Sequence, residues 1–228
     1  MRVLFVVAHL DDEILGAGAT INKLAKEGNE IYVLSMTSKC STRKEEDLQK
    51  VAIKNYKKNR VKIKNVFSAN YKCLNLRQEN HYSLVKTIEE CLDLTMPDIV
   101  FTHHPADINP DHNETAKACM EAVRLPQRQL KDGKLHKEIE ALYFMKVLSS
   151  TDWGTDFSLN QFNPDTFVEV GLEDKDKKIE LLKGYDDIIR KAPHPRSEYN
   201  IIANLIVDGS KAGYHFAESF QTAFRRGL

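Results

Sequence analysis

The chain has no surplus charge of either sign: thirty-three Lys and Arg residues balance thirty-three Asp and Glu residues. That balance removes the global positive field that draws in nucleic acid or an anionic membrane, so no nucleic-acid partner is expected. Cysteine is scarce. Cys40, Cys73, Cys91 and Cys119 lie far apart with no C-x-x-C pair among them. This excludes a thiolate zinc knuckle and argues against a disulfide framework, so the four read as buried core thiols in a reducing compartment. Long apolar runs are also missing. No stretch approaches the roughly 20 residues that a membrane span needs. The first apolar run, residues 3–8, is too short for a signal peptide and is followed at once by acids. The expectation is a soluble cytoplasmic protein without a membrane span. No low-complexity linker or internal repeat interrupts the 228 residues, which read as a single domain large enough to bury a core unaided.

What is present is alternation. Short β-rich runs at 3–8, 30–36, 62–67, 98–102 and 140–147 alternate with amphipathic stretches at 14–27, 44–59, 82–94 and 110–123. Repeated βαβ units predict an α/β protein with a mainly parallel sheet. Beyond Trp153 the pattern changes to a loop at 160–165, an edge strand at 166–170 and helices at 175–191 and 197–213. In such sheets the ligand crevice lies beyond the carboxyl ends of the strands, so residues just after strands are the ones to inspect.

The stretch "VVAHLDDEILGAG", residues 6–18, places His9, Asp11, Asp12 and Glu13 where a strand ends and a helix begins. Imidazole and carboxylate three residues apart on a tight turn form a good zinc pairing. A catalytic zinc usually has three protein ligands, and "HHPADINPDHNET", residues 103–115, offers the third from another strand end. There Asn109 can cap a helix, Pro110 suits its first position, and His112 lies in the first turn facing the crevice. If Asp12 binds metal, Asp11 is placed to take a proton from an activated water, which makes a hydrolase. Taken singly, these residues have plainer readings. Acids in a first turn complement the helix dipole, and Asn-Pro-Asp is ordinary helix-initiating sequence. Gly16 and Gly18 resemble the start of a dinucleotide fingerprint. Ile21 occupies the third glycine position, however, and the second strand ends without the acid that grips a ribose, so a nucleotide-binding Rossmann module is the lesser alternative.

"AHLDDE" resembles the "AH-x-DDE" signature of the PIG-L/LmbE-like zinc-dependent N-deacetylases, and "NPDH" resembles that family's second motif. "LYFMKVLSSTDW", "FNPDTFVEV" and "APHPRSEYNIIANLIVDGSKAGYHFAESF" are similar to later segments of a bacterial branch linked to surface-carbohydrate or nucleotide-sugar metabolism. The resemblance covers residues 1 to about 225. It implies a Rossmann-like three-layer α/β/α fold with a C-terminal helical extension, a single deacetylase-like domain over 1–228. It also implies one Zn2+ per chain and hydrolysis of an N-acyl group from an amino sugar, nucleotide sugar or related glycoside. Carried over by position, His9, Asp12 and His112 would be the zinc ligands, Asp11 the general base, and Glu13 a support for the turn.

The family often has a histidine where Asn109 stands. An asparagine amide can donate to an oxyanion but cannot carry a proton, so leaving-group protonation would fall to Asp11; a purely capping Asn109 is the other reading. That departure keeps a catalytically altered or silent member, used for binding or assembly, among the alternatives. Arg43 corresponds to an arginine that the family places near sugar or phosphate, where a guanidinium fork fits. His194 and Arg196 in "PHPRS", His104 after the strand ending at Thr102, and Trp153 as a flat face for a sugar ring complete the expected substrate contacts. Each also has a structural reading: a helix-start loop for 193–197, a core position for Trp153, a solvated Arg43. Asp107 is a candidate partner for His104. The loop "NYKCLNLRQEN", residues 70–80, departs from the branch, and Leu10 stands where most relatives have proline. Oligomeric state is open, a homo-oligomer included.

Overall fold

The computed structural model describes residues 1–39, 47–123, 138–153 and 161–227. Strands β1 (Arg2–Val7), β2 (Glu30–Lys39), β3 (Asn65–Lys72), β4 (Ile99–His103) and β5 (Ala141–Met145) run parallel. Strands β6 (Thr166–Glu169) and β7 (Ala217–Arg225) complete a seven-stranded sheet in the order β3-β2-β1-β4-β5-β7-β6. Only β7 pairs antiparallel with its neighbours, β5 and β6. Successive β1 side chains alternate between two cores, as the period of an extended chain requires. Val3, Phe5 and Val7 meet α1 (Asp12–Lys26), α2 (Leu48–Lys58), α5 (Leu172–Leu182) and α6 (Glu198–Ala212) on one face. Leu4 and Val6 meet α3 (His81–Thr95) and α4 (Pro110–Val123) on the other. The fold is therefore the expected three-layer α/β/α arrangement. An aromatic row crosses the first face: Phe5 stacks on Phe101 at 4.8 Å, and Phe101 meets Phe220 edge-on at 4.9 Å. Among the described residues no helix is long and apolar enough to cross a membrane.

The strand order places β1 between β2 and β4, so the chain winds one way through β2 and β3 and the other way from β4 onward. The carboxyl ends of β1 and β4 flank that switch point, where open α/β sheets bind ligands. Helix α1 must lie close to the sheet there. A Cβ added at Gly16 would stand 2.9 Å from Met145 Cβ, and one at Gly18 would stand 3.0 Å from Lys178 Cγ. The helix is kinked at Ala17, where φ is −145°. The backbone groups released by the kink are satisfied from far away in sequence. Glu218 of β7 accepts the N–H of Ala19 (3.1 Å) and of Thr20 (2.7 Å), and Lys178 of α5 donates to the Leu15 carbonyl (2.8 Å). Lys178 and Glu218 also pair with each other at 2.6 Å, both buried.

Three elements differ from the sequence reading. Strand β3 spans Asn65–Lys72 instead of 62–67. Helix α5 stops at Leu182, short of residue 191, because Asn55 of α2 donates to the Leu181 carbonyl at 2.7 Å and caps it there. The C-terminal region holds not only helices but β7, whose buried Glu218 and Ser219 break the apolar alternation that marks a strand. Those polar groups are buried because Lys178 and Asp208 meet them, the latter accepting from the Ser219 hydroxyl at 2.7 Å.

Replacing Lys178 with methionine strands Glu218 without its cation, and urea unfolding should register a loss of about 3–5 kcal/mol. Lys183→Ala, which breaks an exposed pair with Glu198 at 2.9 Å, should cost about 0–1 kcal/mol in the same assay.

Candidate metal and active site

The turn after β1 is strained and held. Asp11 has φ 138°, a region that side-chain-bearing residues rarely adopt. Its N–H donates to Glu13 Oε2 at 3.0 Å, and its carbonyl accepts from the N–H groups of Ile14 and Leu15 at 3.1 and 2.9 Å. The other Glu13 oxygen accepts from the Tyr56 hydroxyl at 2.7 Å. Leu10, fully buried, pins the turn into the core. Burial pushes the Glu13 carboxyl up to about 7, against the opposing pull of the Tyr56 and Asp11 donors. The turn thus exists to point the side chains on either side of it.

Three of those side-chain atoms converge. His9 Nδ1 lies 3.2 Å from Asp12 Oδ2, His112 Nε2 lies 3.3 Å from the same oxygen, and the two nitrogens are 3.4 Å apart. Behind each ring stands a second carboxylate: Asp111 Oδ2 is 3.2 Å from His9 Nε2, and Asp107 Oδ2 is 3.1 Å from His112 Nδ1. A neutral imidazole that donates to the carboxylate behind it turns a lone pair toward the front. Two such lone pairs and a carboxylate oxygen then meet with no donor among them. Tetrahedral zinc with N and O ligands at about 2.0–2.1 Å holds them about 3.3 Å apart, so the donor set fits a zinc ion by chemistry and by spacing.

The electrostatics point the same way. Burial would lower the His112 pKa, but the Asp12 charge and the Asp107 hydrogen bond outweigh it and raise it to about 9. His9 is likewise raised well above its ordinary value, its burial overcome by Asp111, Asp12 and Cys73. Asp12 is held well below the carboxylate range, since the two imidazoles outweigh its desolvation. The pocket attracts positive charge, and protons take that place when no metal does.

His103, at the end of β4, stands outside the expected set of site residues. It stacks on His112 with ring centroids 3.9 Å apart, and its Nε2 accepts the Ala8 N–H at 2.8 Å. Burial and the neighbouring His112 push its pKa down to about 3, so it is a neutral wall of the cluster. His104, expected at the substrate, is instead boxed edge-on between Phe144 and Phe162, each 5.6 Å away. The alternation of an extended chain turns it away from His103. Asp107 serves His112 rather than His104, and is fixed by the Ser150 and Thr151 hydroxyls at 3.0 and 2.7 Å and by the Asn109 N–H at 2.8 Å. Asn109 caps α4, its Oδ1 accepting the Asp111 N–H at 2.9 Å.

The loop after β5 carries this support outward. Arg196 Nε donates to the Leu148 carbonyl (3.1 Å) and to Ser149 Oγ (3.0 Å), and the half-exposed Trp153 meets the His194 ring edge-on at 5.8 Å. Three expected substrate residues, Trp153, His194 and Arg196, therefore gather beside the segment that buttresses Asp107. Arg43 and Cys40 lie outside the described residues. Cys91 and Cys119 are core thiols pushed up to about 12 by burial, as expected. Cys73 is not one of them: it lies with His9 and Asp111, where its Sγ and their ligand atoms fall within 4.8 Å of one another. Asp111 is visible in sequence as the acid beside His112 at a helix start, and alternation lets one of His103 and His104 face the pocket; nothing local announces Cys73.

A model of the family described as PIG-L, GlcNAc-PI de-N-acetylase, matches residues 4–123. No curated protein matches the sequence. Solved structures do resemble the fold. A conserved protein of Thermus thermophilus aligns at TM-score 0.76 and 18% identity, covering 99% of this chain and 96% of that one. The N,N'-diacetylchitobiose deacetylase of Pyrococcus horikoshii aligns at 0.72 and 20%, covering 97% and 83%. The 4-carboxy-2-hydroxymuconate hydratase GalB of Pseudomonas putida aligns at 0.75 and 17%, covering 100% and 98%. At these identities the likeness is one of fold.

The Glu13 support is open to test. Glu13 ionises near 7 in the folded chain and near 4.3 in an unfolded one, so its burial costs stability as pH rises through that window. The Tyr56 hydroxyl bonds Glu13 more strongly where Glu13 is charged. Tyr56→Phe should therefore destabilise by roughly 1.5–3 kcal/mol at pH 8 and by clearly less at pH 5, read from urea midpoints at the two pH values.

Proposed function

The chain belongs to the GlcNAc-PI de-N-acetylase (PIG-L) family, and on that premise we propose that it is a zinc-dependent hydrolase that removes an N-acetyl group from an amino sugar, nucleotide sugar or related glycoside. The observation that carries the reading is the meeting of His9 Nδ1, Asp12 Oδ2 and His112 Nε2 at 3.2–3.4 Å, with Asp111 and Asp107 behind the two rings. These three residues would hold one zinc ion per chain. A zinc ion there would supply Lewis acidity toward the amide carbonyl and lower the pKa of water.

The chain's own groups supply the rest. Asp11, on the strained turn beside Asp12, takes the proton of the attacking water. It returns that proton to the nitrogen as the C–N bond breaks, and the second water proton passes from the new carboxyl group to the amine, leaving acetate and an ammonium group. Asn109 has its Oδ1 committed to the Asp111 N–H, so only its Nδ2 can donate to the developing oxyanion. His103 excludes water from the far face of His112, where it is stacked and buried. On the rim, Arg196 is anchored through Nε and can turn its terminal nitrogens to phosphate or hydroxyl oxygens, with Trp153 and His194 beside it. A fold shared with a hydratase leaves the reaction to the site, and membership of the de-N-acetylase family favours deacetylation over water addition.

Acetate release should be seen when zinc-loaded protein is screened against N-acetylated amino sugars and UDP-linked N-acetyl sugars. Asp11→Asn should keep one zinc per chain while turnover falls about 10²- to 10⁴-fold; full activity in that variant would remove Asp11 from the reaction. His112→Ala should lose the tightly bound zinc, and undiminished stoichiometry would place the third ligand elsewhere. Because the surrounding carboxylates raise the pKa of both imidazoles in the metal-free protein, zinc binding should release protons. Calorimetry in buffers of different ionisation enthalpy measures that release directly, and its absence would contradict the ligand set.

A further inference from the structure

The second nitrogen of His9 faces donors of a different character. Nε2 lies 3.2 Å from Asp111 Oδ2, and one ligand atom each of His9, Asp111 and Cys73 lie within 4.8 Å of one another. Cys73 is buried, carries no disulfide and follows β3 in the loop that departs from the family branch. The same Asp111 carboxylate clips that loop to α4, accepting the N–H groups of Leu74 and Leu76. Leu74 itself is exposed, so the thiol sits one residue from solvent.

Imidazole, carboxylate and thiol together form a donor set softer than the one formed by His9, Asp12 and His112. Sulfur and nitrogen around a tetrahedral zinc stand about 3.6 Å apart, within the 4.8 Å that encloses these three ligand atoms. Among the described residues a third grouping, His103 with Asp107 and His112, shares His112 with the first cluster and brings no softer donor.

We propose that His9 Nε2, Asp111 and Cys73 form a second cation site that takes thiophilic divalent ions such as Cd2+ or excess Zn2+, and that filling it inhibits the enzyme. Binding there releases two protons to solvent, one from the Cys73 thiol and one from His9 Nε2, with no change of oxidation state. It also takes Asp111 away from the ring it orients, so that His9 Nδ1 is no longer held toward Asp12 and His112. The cation-binding half stands on this donor set alone; the inhibition half rests on the proposed deacetylase reading.

Cd2+ is titrated into the full-length, zinc-loaded protein and the ultraviolet thiolate-to-cadmium charge-transfer band is followed. The band should saturate at one Cd2+ per chain, vanish in Cys73→Ser and Cys73→Ala, and persist in Cys40→Ser, Cys91→Ser and Cys119→Ser. It should also persist in His112→Ala, so loss of the first cluster is distinguished from failure of the second. Circular dichroism and the urea midpoint check that the Cys73 variants remain folded. No band, or an undiminished band without Cys73, overturns the site. In acetate release, half-inhibition of Cys73→Ser should need at least tenfold more Cd2+ than the parent protein, and equal sensitivity overturns the inhibitory role.

Discussion

Two imidazole lone pairs and a carboxylate oxygen, brought within 3.4 Å of one another in a buried pocket, repel unless positive charge sits among them. The architecture around His9, Asp12 and His112 is best understood as the apparatus that enforces this approach. Asp111 and Asp107 fix the rings from behind, Asn109 accepts the Asp111 N–H on its Oδ1 and donates its own N–H to the Asp107 carboxylate, and Ser150 and Thr151 fix Asp107 from the loop after β5. On the other side, Tyr56 and Glu13 hold Asp11 in a conformation that its own side chain disfavours. Strain and like-charge crowding are concentrated at one point and offset by ordinary packing elsewhere, the common distribution in proteins whose sites are preorganised.

The sheet order makes that concentration feasible. Because β1 and β4 are neighbours at the switch point, the ends of two strands nearly a hundred residues apart in sequence open into one crevice. Helices α1 and α4 both begin there, each bringing an acid in its first turn. A hydratase with the same fold shows that the scaffold does not dictate one reaction. What is particular to this chain lies in the residues on the strand ends and in the loops after β3 and β5.

Much of this is legible in sequence where the signal is local. Apolar runs announce β1 and β4, Asn-Pro announces the start of α4, and an imidazole three residues from a carboxylate on a tight turn announces half of the candidate metal site. What stays hidden depends on partners distant in sequence. The alternation rule allows one of His103 and His104 to face the pocket but not which one; the stacking on His112 decides it. Strand β7 escapes a reading by pattern because Glu218 is a buried acid in an otherwise apolar face, and the lysine that justifies it lies forty residues earlier. Helix α5 reads too long because its end is set by Asn55, from another helix. Cys73 reads as a core thiol because composition carries no information about the ring beside it.

The kink in α1 links the two ends of the chain in time as well as in space. Ala19 and Thr20 find their acceptor on Glu218, 199 and 198 residues later, so the first helix cannot be finished before β7 is in place. Until the last strand emerges and docks, two buried amides in the helix behind Asp12 lack their acceptor, and the turn carrying Asp11 and Asp12 lacks its full backing. A nascent chain therefore displays its acids and imidazoles as separate, loosely held groups. The crowded cluster has its full backing only once β7 has docked on α1.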